Sequence, residues 1–244
     1  SLTRRLGPGV ITGAADDDPS GIATYSQAGA QTGFGLLWTV VLGQVAWIFL
    51  SRPGSTVGWG WMDGRRATLV VFVISLAIYA IAARRLTNTD FFPGGDEPHY
   101  LVMTQSLLRD HDLKIANNHD RGDYHEYFPF PLEPDYRTRG TDGQIYSIHP
   151  VGLPVLAMPA FALGGYRGVV WLLTLLAAGT ATLLWRWMFA LLGSAAAATF
   201  GWAAVCLTAP FVFNSFSVYP EIPAAFCVML AVGIVRPGST RAAV

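Results

Sequence analysis

The chain has 244 residues, of which 52% are apolar and only 13% charged, about half the charged share of an ordinary soluble domain. Its 16 basic and 16 acidic side chains cancel, so no basic surplus advertises nucleic acid, and that partner is excluded. Cys206 and Cys227 both lie in apolar runs, which argues against a disulfide framework or a thiolate metal site. The composition predicts an all-α polytopic membrane protein with about six transmembrane segments and one large extracytoplasmic loop.

In chain order, residues 8–31 form an apolar run broken at Asp16-Asp17-Asp18-Pro19, and residues 34–50 form a second run. Together, residues 1–50 read as a helix pair whose first member is interrupted. Three acids and no small-residue cleavage site argue against a signal peptide. Residues 51–66, opening with Ser51-Arg52-Pro53-Gly54-Ser55-Thr56, read as a linker or a fusion seam. Residues 67–83 are long enough to span with little tilt.

A wet segment follows. Eleven of the 16 acids, seven of the 16 bases and all five histidines fall within residues 84–150. A loop of that length between spans is functional or forms a small folded cap. Residues 151–164 are apolar but carry Pro154 and Pro159, and 14 residues cannot cross a core of roughly 30 Å. This segment therefore reads as an interfacial or re-entrant helix. Residues 169–189 and 195–213 read as spans, and 222–235 as a shorter one. With the N-terminus cytoplasmic, this parity places Arg52, Arg65, Arg66, Arg186 and Arg236 inside, and Arg84 and Arg85 outside.

The same topology opens the wet loop and the corner at Tyr219-Pro220-Glu221 on one face. Asp96 and Glu97 begin a helix, with Pro98 in its first turn and Tyr100, Met103, Leu107 and Leu108 at helical spacing. Carboxylates there face the positive end of the helix dipole. Glu221 sits at the lip of a span, where an acid is costly without a partner. These acids can act as general base and as metal or phosphate site, or they simply cap a helix and face water. Asp110-His111-Asp112 has ligand chemistry for a divalent ion, against the plainer reading of a solvated helix end. The stretch from Tyr124 to Phe130 offers an acceptor platform or an interfacial aromatic anchor.

Three motifs carry a resemblance: Gly95-Asp96-Glu97-Pro98-His99-Tyr100 after a span, Tyr146-Ser147-Ile148-His149-Pro150-Val151-Gly152-Leu153-Pro154 entering an amphipathic segment, and Tyr219-Pro220-Glu221-Ile222-Pro223 at a later span mouth. Through them, residues 67–236 resemble the membrane-embedded GT-C glycosyltransferases, which use dolichyl- or undecaprenyl-phosphate sugars. The resemblance implies a catalytic base at Asp96 or Glu97, with Asp96 favoured, and a metal or lipid-phosphate role for Glu221. It implies sugar transfer from a polyprenyl-phosphate carrier in the bilayer to a hydroxyl acceptor that the sequence leaves unnamed. Phosphate departure needs positive charge, for which Arg137, Arg139 and Lys114 are candidates. His149 either touches the phosphate or anchors the interfacial helix, and the resemblance also implies a substrate or phosphate role for Tyr219.

The front of the chain carries a different likeness. Gly7-Pro8-Gly9-Val10-Ile11-Thr12-Gly13-Ala14-Ala15-Asp16-Asp17-Asp18-Pro19-Ser20-Gly21-Ile22-Ala23-Thr24-Tyr25 and the residues to Ala30 resemble the first transmembrane helix of the Nramp divalent-metal transporters. The likeness covers residues 1–41. Asp18 and Pro19 keep the family's Asp-Pro-Gly-Asn pattern, while Ser20 and Gly21 replace its glycine and asparagine. Three acids and a helix-breaking proline imply an unwound helix lining a cavity, with Asp16, Asp17 and Asp18 as hard oxygen ligands for Mg²⁺ or Mn²⁺. The two likenesses together imply a multi-pass protein of a bacterial inner membrane. They also imply that both parts are cut short, so a non-functional chimera of the two stands beside the active readings.

Overall fold

Apolar runs bounded by arginines, glycines and prolines set the architecture. In a computed structural model, residues 64–87, 93–137 and 139–234 are described, all within one compact unit. Residues 8–31 and 34–50, with Asp16, Asp17 and Asp18, and residues 51–63 of the expected linker lie outside the described residues, while the linker's last three, 64–66, already belong to the first described helix. The described residues are mostly helical and contain no strand.

The first described helix, α1 (Gly64–Thr87), ends on Arg84 and Arg85, where cations complement the negative end of the helix dipole. The cap follows with α2 (Glu97–Gln105), whose last turn widens into a π turn over Ser106–Asp110, and then α3 (Ala116–Arg121). A 41-residue run, α4 (Gly152–Leu192), forms the centre, and α1, α2, α5 and α7 pack against it. It is followed by α5 (Ala195–Cys206), α6 (Ala209–Asn214) and α7 (Glu221–Ile234).

The sequence leads to a separate helix at 151–164 and a span from 169, and the structure joins the two. The join is a sharp break at Gly164 and Gly165, the latter at φ +58°, a backbone state that glycine adopts without a Cβ penalty. A Cβ at Gly168 would run into the Ala160 carbonyl, so the two arms pack backbone to backbone around that break. At the far end Gly193 terminates α4 in the left-handed state, its N–H donating to the Phe189 carbonyl at 3.0 Å. Ser194 next to it caps α5, its Oγ accepting from Ala197 N at 3.3 Å. A glycine stop and a serine start on adjacent residues make the tight reversal.

The single span expected at 195–213 is two helices, because Pro210 has no N–H to give the Cys206 carbonyl four residues earlier. The Tyr79 hydroxyl of α1 donates to that carbonyl instead, at 2.9 Å. Trp202 Nε1 donates to Ser75 Oγ at 3.0 Å, tying α5 to α1 a second time. Along α4, Ala177, Ala178 and Ala181 are fully buried, and such small residues let helices approach closely where lipid supplies no hydrophobic driving force.

Two of these helices are long and apolar enough to cross a membrane, Arg66–Arg85 and Gly152–Leu192. The apolar helices Ala195–Cys206 and Glu221–Ala231 are shorter, so six spans are not seen among the described residues. Leu69, Ile81, Trp171, Leu175 and Val228 point outward, as a lipid-facing surface requires. A second core lies under the cap, around Tyr100, Leu101, Met103, Ile115, Tyr127, Phe161 and Val218.

Candidate functional site

The cap is folded rather than loose, and its polar groups are largely paired with one another. Arg121 Nη2 holds Asp110 at 2.7 Å and Asp123 at 2.8 Å, and Asn118 Nδ2 donates to the same two carboxylates. The Arg121 hydrogen bond holds the Asp110 carboxyl below its ordinary value. Asp112 Oδ1 accepts from Ser106 Oγ and Lys114 N, both at 3.0 Å. The Asp110-His111-Asp112 run is therefore spent on tying the cap together, and the two carboxylates take different partners rather than sharing an ion. Tyr124 and Tyr127 are buried, with the Tyr127 hydroxyl donating to Gln105 Oε1 at 2.8 Å. Tyr124 and Tyr127 thus face the cap's interior, while His125, Glu126, Pro129 and Phe130 are exposed.

The two acidic corners meet. Gly95, at φ +59°, turns the chain so that Asp96 enters α2 as its N-cap. The Tyr219 hydroxyl donates to the Gly94 carbonyl and accepts from Asp96 N, both at 3.2 Å. Glu97 Oε2 accepts from Val218 N at 2.7 Å, and its other oxygen from Gly94 N at 3.4 Å. Glu97 is 5% exposed, and burial pushes its carboxyl up to about 7 against the pull of those two N–H groups, with nearby Glu221 adding to the rise. Glu97 is thus a buried strut between the corners, while Asp96 keeps access to the surface. Glu221 begins α7 and is exposed.

The third motif joins the same place. The His149 ring stacks on His99 at 5.5 Å between centroids and lies 4.9 Å from the Tyr100 ring. Tyr100 in turn meets Tyr219 edge to face at 6.4 Å. On its other side His99 is 6.4 Å from His119, whose Nδ1–H donates to the Leu132 carbonyl at 2.9 Å. Burial, more than any neighbouring charge, lowers the pKa of both His99 and His119, which keeps them neutral and able to offer a nitrogen lone pair. Asp96, Asp135 and His149 each place one ligand atom within 4.8 Å of the others.

The cations expected to handle phosphate are less central. Arg139 Nη1 donates to the Gly143 carbonyl, and its guanidinium lies 5.9 Å from the Tyr136 ring, turned toward its own loop. Arg137 is exposed on that loop. Lys114 pairs its backbone with Tyr146. No contact among the described residues ties either arginine to Asp96 or Tyr219. Sequence reasoning passed over Asp135 and His99. His99 sits inside the Gly95-Asp96-Glu97-Pro98-His99-Tyr100 motif and could have been weighed with it, whereas Asp135 lies in an irregular stretch with no periodicity to mark it.

Against known families, the Nramp profile (natural resistance-associated macrophage protein-like) matches residues 9–58. The match contains the acid-proline interruption and runs beyond residue 41, where the likeness read from the sequence stopped. It covers about a fifth of the 244 residues. No curated protein and no solved structure matches the chain. The glycosyltransferase resemblance finds no support in these comparisons.

Proposed function

We propose that the chain carries a piece of a divalent-metal transporter of the Nramp type, with Asp16, Asp17 and Asp18 as its ion ligands. The observation that carries this reading is the family match at residues 9–58, which includes the apolar run interrupted by acids and proline. Carboxylates and a broken helix are costly in hydrocarbon unless they line a cavity, and oxygen ligands there suit a hydrated Mg²⁺ or Mn²⁺. Transporters of this kind build their site from two broken helices, of which residues 8–31 would supply the first. Proteoliposomes carrying the purified protein should take up Mn²⁺ or Mg²⁺, and Asp18→Ala should abolish the uptake. Uptake unaffected by that substitution removes the reading.

A second reading concerns residues 93–234, and the convergence of three motifs favours it: Asp96, His149 and Tyr219 belong to one cluster at the mouth of the helices. In this reading the unit transfers a sugar from a polyprenyl phosphate to a hydroxyl acceptor. Asp96 takes the hydroxyl proton as the oxygen attacks the anomeric carbon, and the carbon–phosphate-oxygen bond breaks with its electron pair going to the phosphate. Glu97, already engaged by two backbone N–H groups, positions the corner rather than touching substrate. Its support is geometric alone. Asp96→Asn should lower transfer from a prenyl-phosphate sugar by about a hundredfold or more, the scale of a lost general base; undiminished transfer excludes it.

A further inference from the structure

We propose that Asp96, Asp135 and His149 form a binding site for a divalent transition ion, Zn²⁺ or Mn²⁺, in the cap, separate from the acids at the front of the chain. The inference rests on the geometry of these three side chains and on neither functional reading above.

His149 supplies the first observation. Its side chain is only 8% exposed, yet its Nε2 has no hydrogen-bond partner. A buried ring nitrogen without a partner is costly, and native structures rarely leave one so. Asp135 Oδ2 lies 3.3 Å away but out of line for a hydrogen bond. Two ligand atoms on a tetrahedral ion at about 2.0 Å stand roughly 3.3 Å apart. The alignment, not the distance, rules out a direct hydrogen bond, and the distance suits two ligands sharing an ion.

Asp96 supplies the second. An aspartate at a helix N-cap ordinarily accepts from a backbone N–H of the first turn, and Asp96 makes no such bond. Its carboxylate instead belongs to the group whose ligand atoms fall within 4.8 Å of one another. The arrangement is held from outside. Ile148 N donates to the Asp135 carbonyl at 3.2 Å, which fixes that strand of loop beside His149. His99 and Tyr100 close on the His149 ring at 5.5 and 4.9 Å, and the Tyr219 hydroxyl pins Asp96 N. Ligand orientation set by a surrounding shell is what metal sites need.

The donor set chooses the ion. Imidazole suits Zn²⁺ and other first-row transition ions, while Mg²⁺ and Ca²⁺ prefer oxygen alone. Three protein ligands leave a coordination position for water or a ligand oxygen, the pattern of catalytic rather than structural sites.

The test uses the full chain in detergent with Asp16, Asp17 and Asp18 all changed to Asn, so that the front acids cannot contribute. Titration calorimetry with Zn²⁺ should give one ion per chain. Asp135→Asn and His149→Gln should each weaken binding about tenfold or more. Asp135 is 38% exposed, so its variant keeps the fold if His149→Gln does not, and circular dichroism checks both. Co²⁺ in place of Zn²⁺ should give a visible absorption band that His149→Gln shifts. Zn²⁺ binding unchanged in Asp135→Asn, no binding at all, or Mg²⁺ binding as tightly as Zn²⁺ would each overturn the proposal.

Discussion

Gly95 shows how much of the site depends on single residues. Its φ of +59° is open to glycine, and a Cβ there would sit 2.5 Å from the Tyr219 hydroxyl. Gly95→Ala should therefore cost roughly 1–2 kcal/mol from backbone strain alone, plus the displacement of Tyr219. Tyr219→Phe removes the atom in the way along with its own hydrogen bonds. Thermal melts of the two single variants and the double variant should show a double loss smaller than the sum, because the residues share one contact; strict additivity would mean that the two corners do not touch. Glu97 gives a pH prediction at the same scale. Its carboxyl rises from 4.5 to about 7, so within that window the folded cap holds a proton that the unfolded chain releases. Stability then falls as pH rises through the window, by up to about 1.4 kcal/mol per unit. Below 6.5 the buried His99 and His119 act with the opposite sign, since folding there excludes protons that the unfolded chain binds. The readout is therefore the difference between wild type and Glu97→Gln. The variant should lose the downward slope between pH 5 and 7, and an identical slope in both would contradict the buried-acid account.

At the scale of elements, the break between α5 and α6 carries a prediction of its own. Tyr79→Phe leaves the Cys206 carbonyl without the hydroxyl that replaces the missing Pro210 N–H. A buried acceptor stripped of its partner costs about 1–3 kcal/mol, so the variant should melt measurably lower, and no change would mean that the break is satisfied in another way. This break was legible in the proline, but a hydropathy reading averages across it and returns one span. The start of α2 was fully legible, since Pro98 after two acids is a helix-start signal that needs no tertiary help. The break in α4 was half legible: the short apolar run with two prolines suggested a separate helix, and the Gly164-Gly165 pair supplied the bend. What the pattern could not supply was the cap. Its residues lie in short helices, a π turn and extended stretches, where side-chain pairs such as Gln105 with Tyr127 decide the path. Asp135 comes beside His149 through a backbone bond, and no residue-type pattern predicts that.

For the molecule as a whole, two resemblances read from sequence fared differently. The front segment matches the Nramp family over residues 9–58, because one apolar run broken by acids and a proline is a compact local signature. The glycosyltransferase likeness rests on short motifs spread over more than a hundred residues, and what stands behind it is their meeting in space. That meeting depends on membrane sidedness, and it can be measured directly. With Cys227 (exposed) and Cys206 (buried) replaced by alanine, single cysteines at 96 and at 221 can be treated with a membrane-impermeant maleimide on intact cells. Both positions should react from the same side, before any permeabilisation. Reaction of one from outside and of the other only after the membrane is opened would separate the two corners and contradict the account.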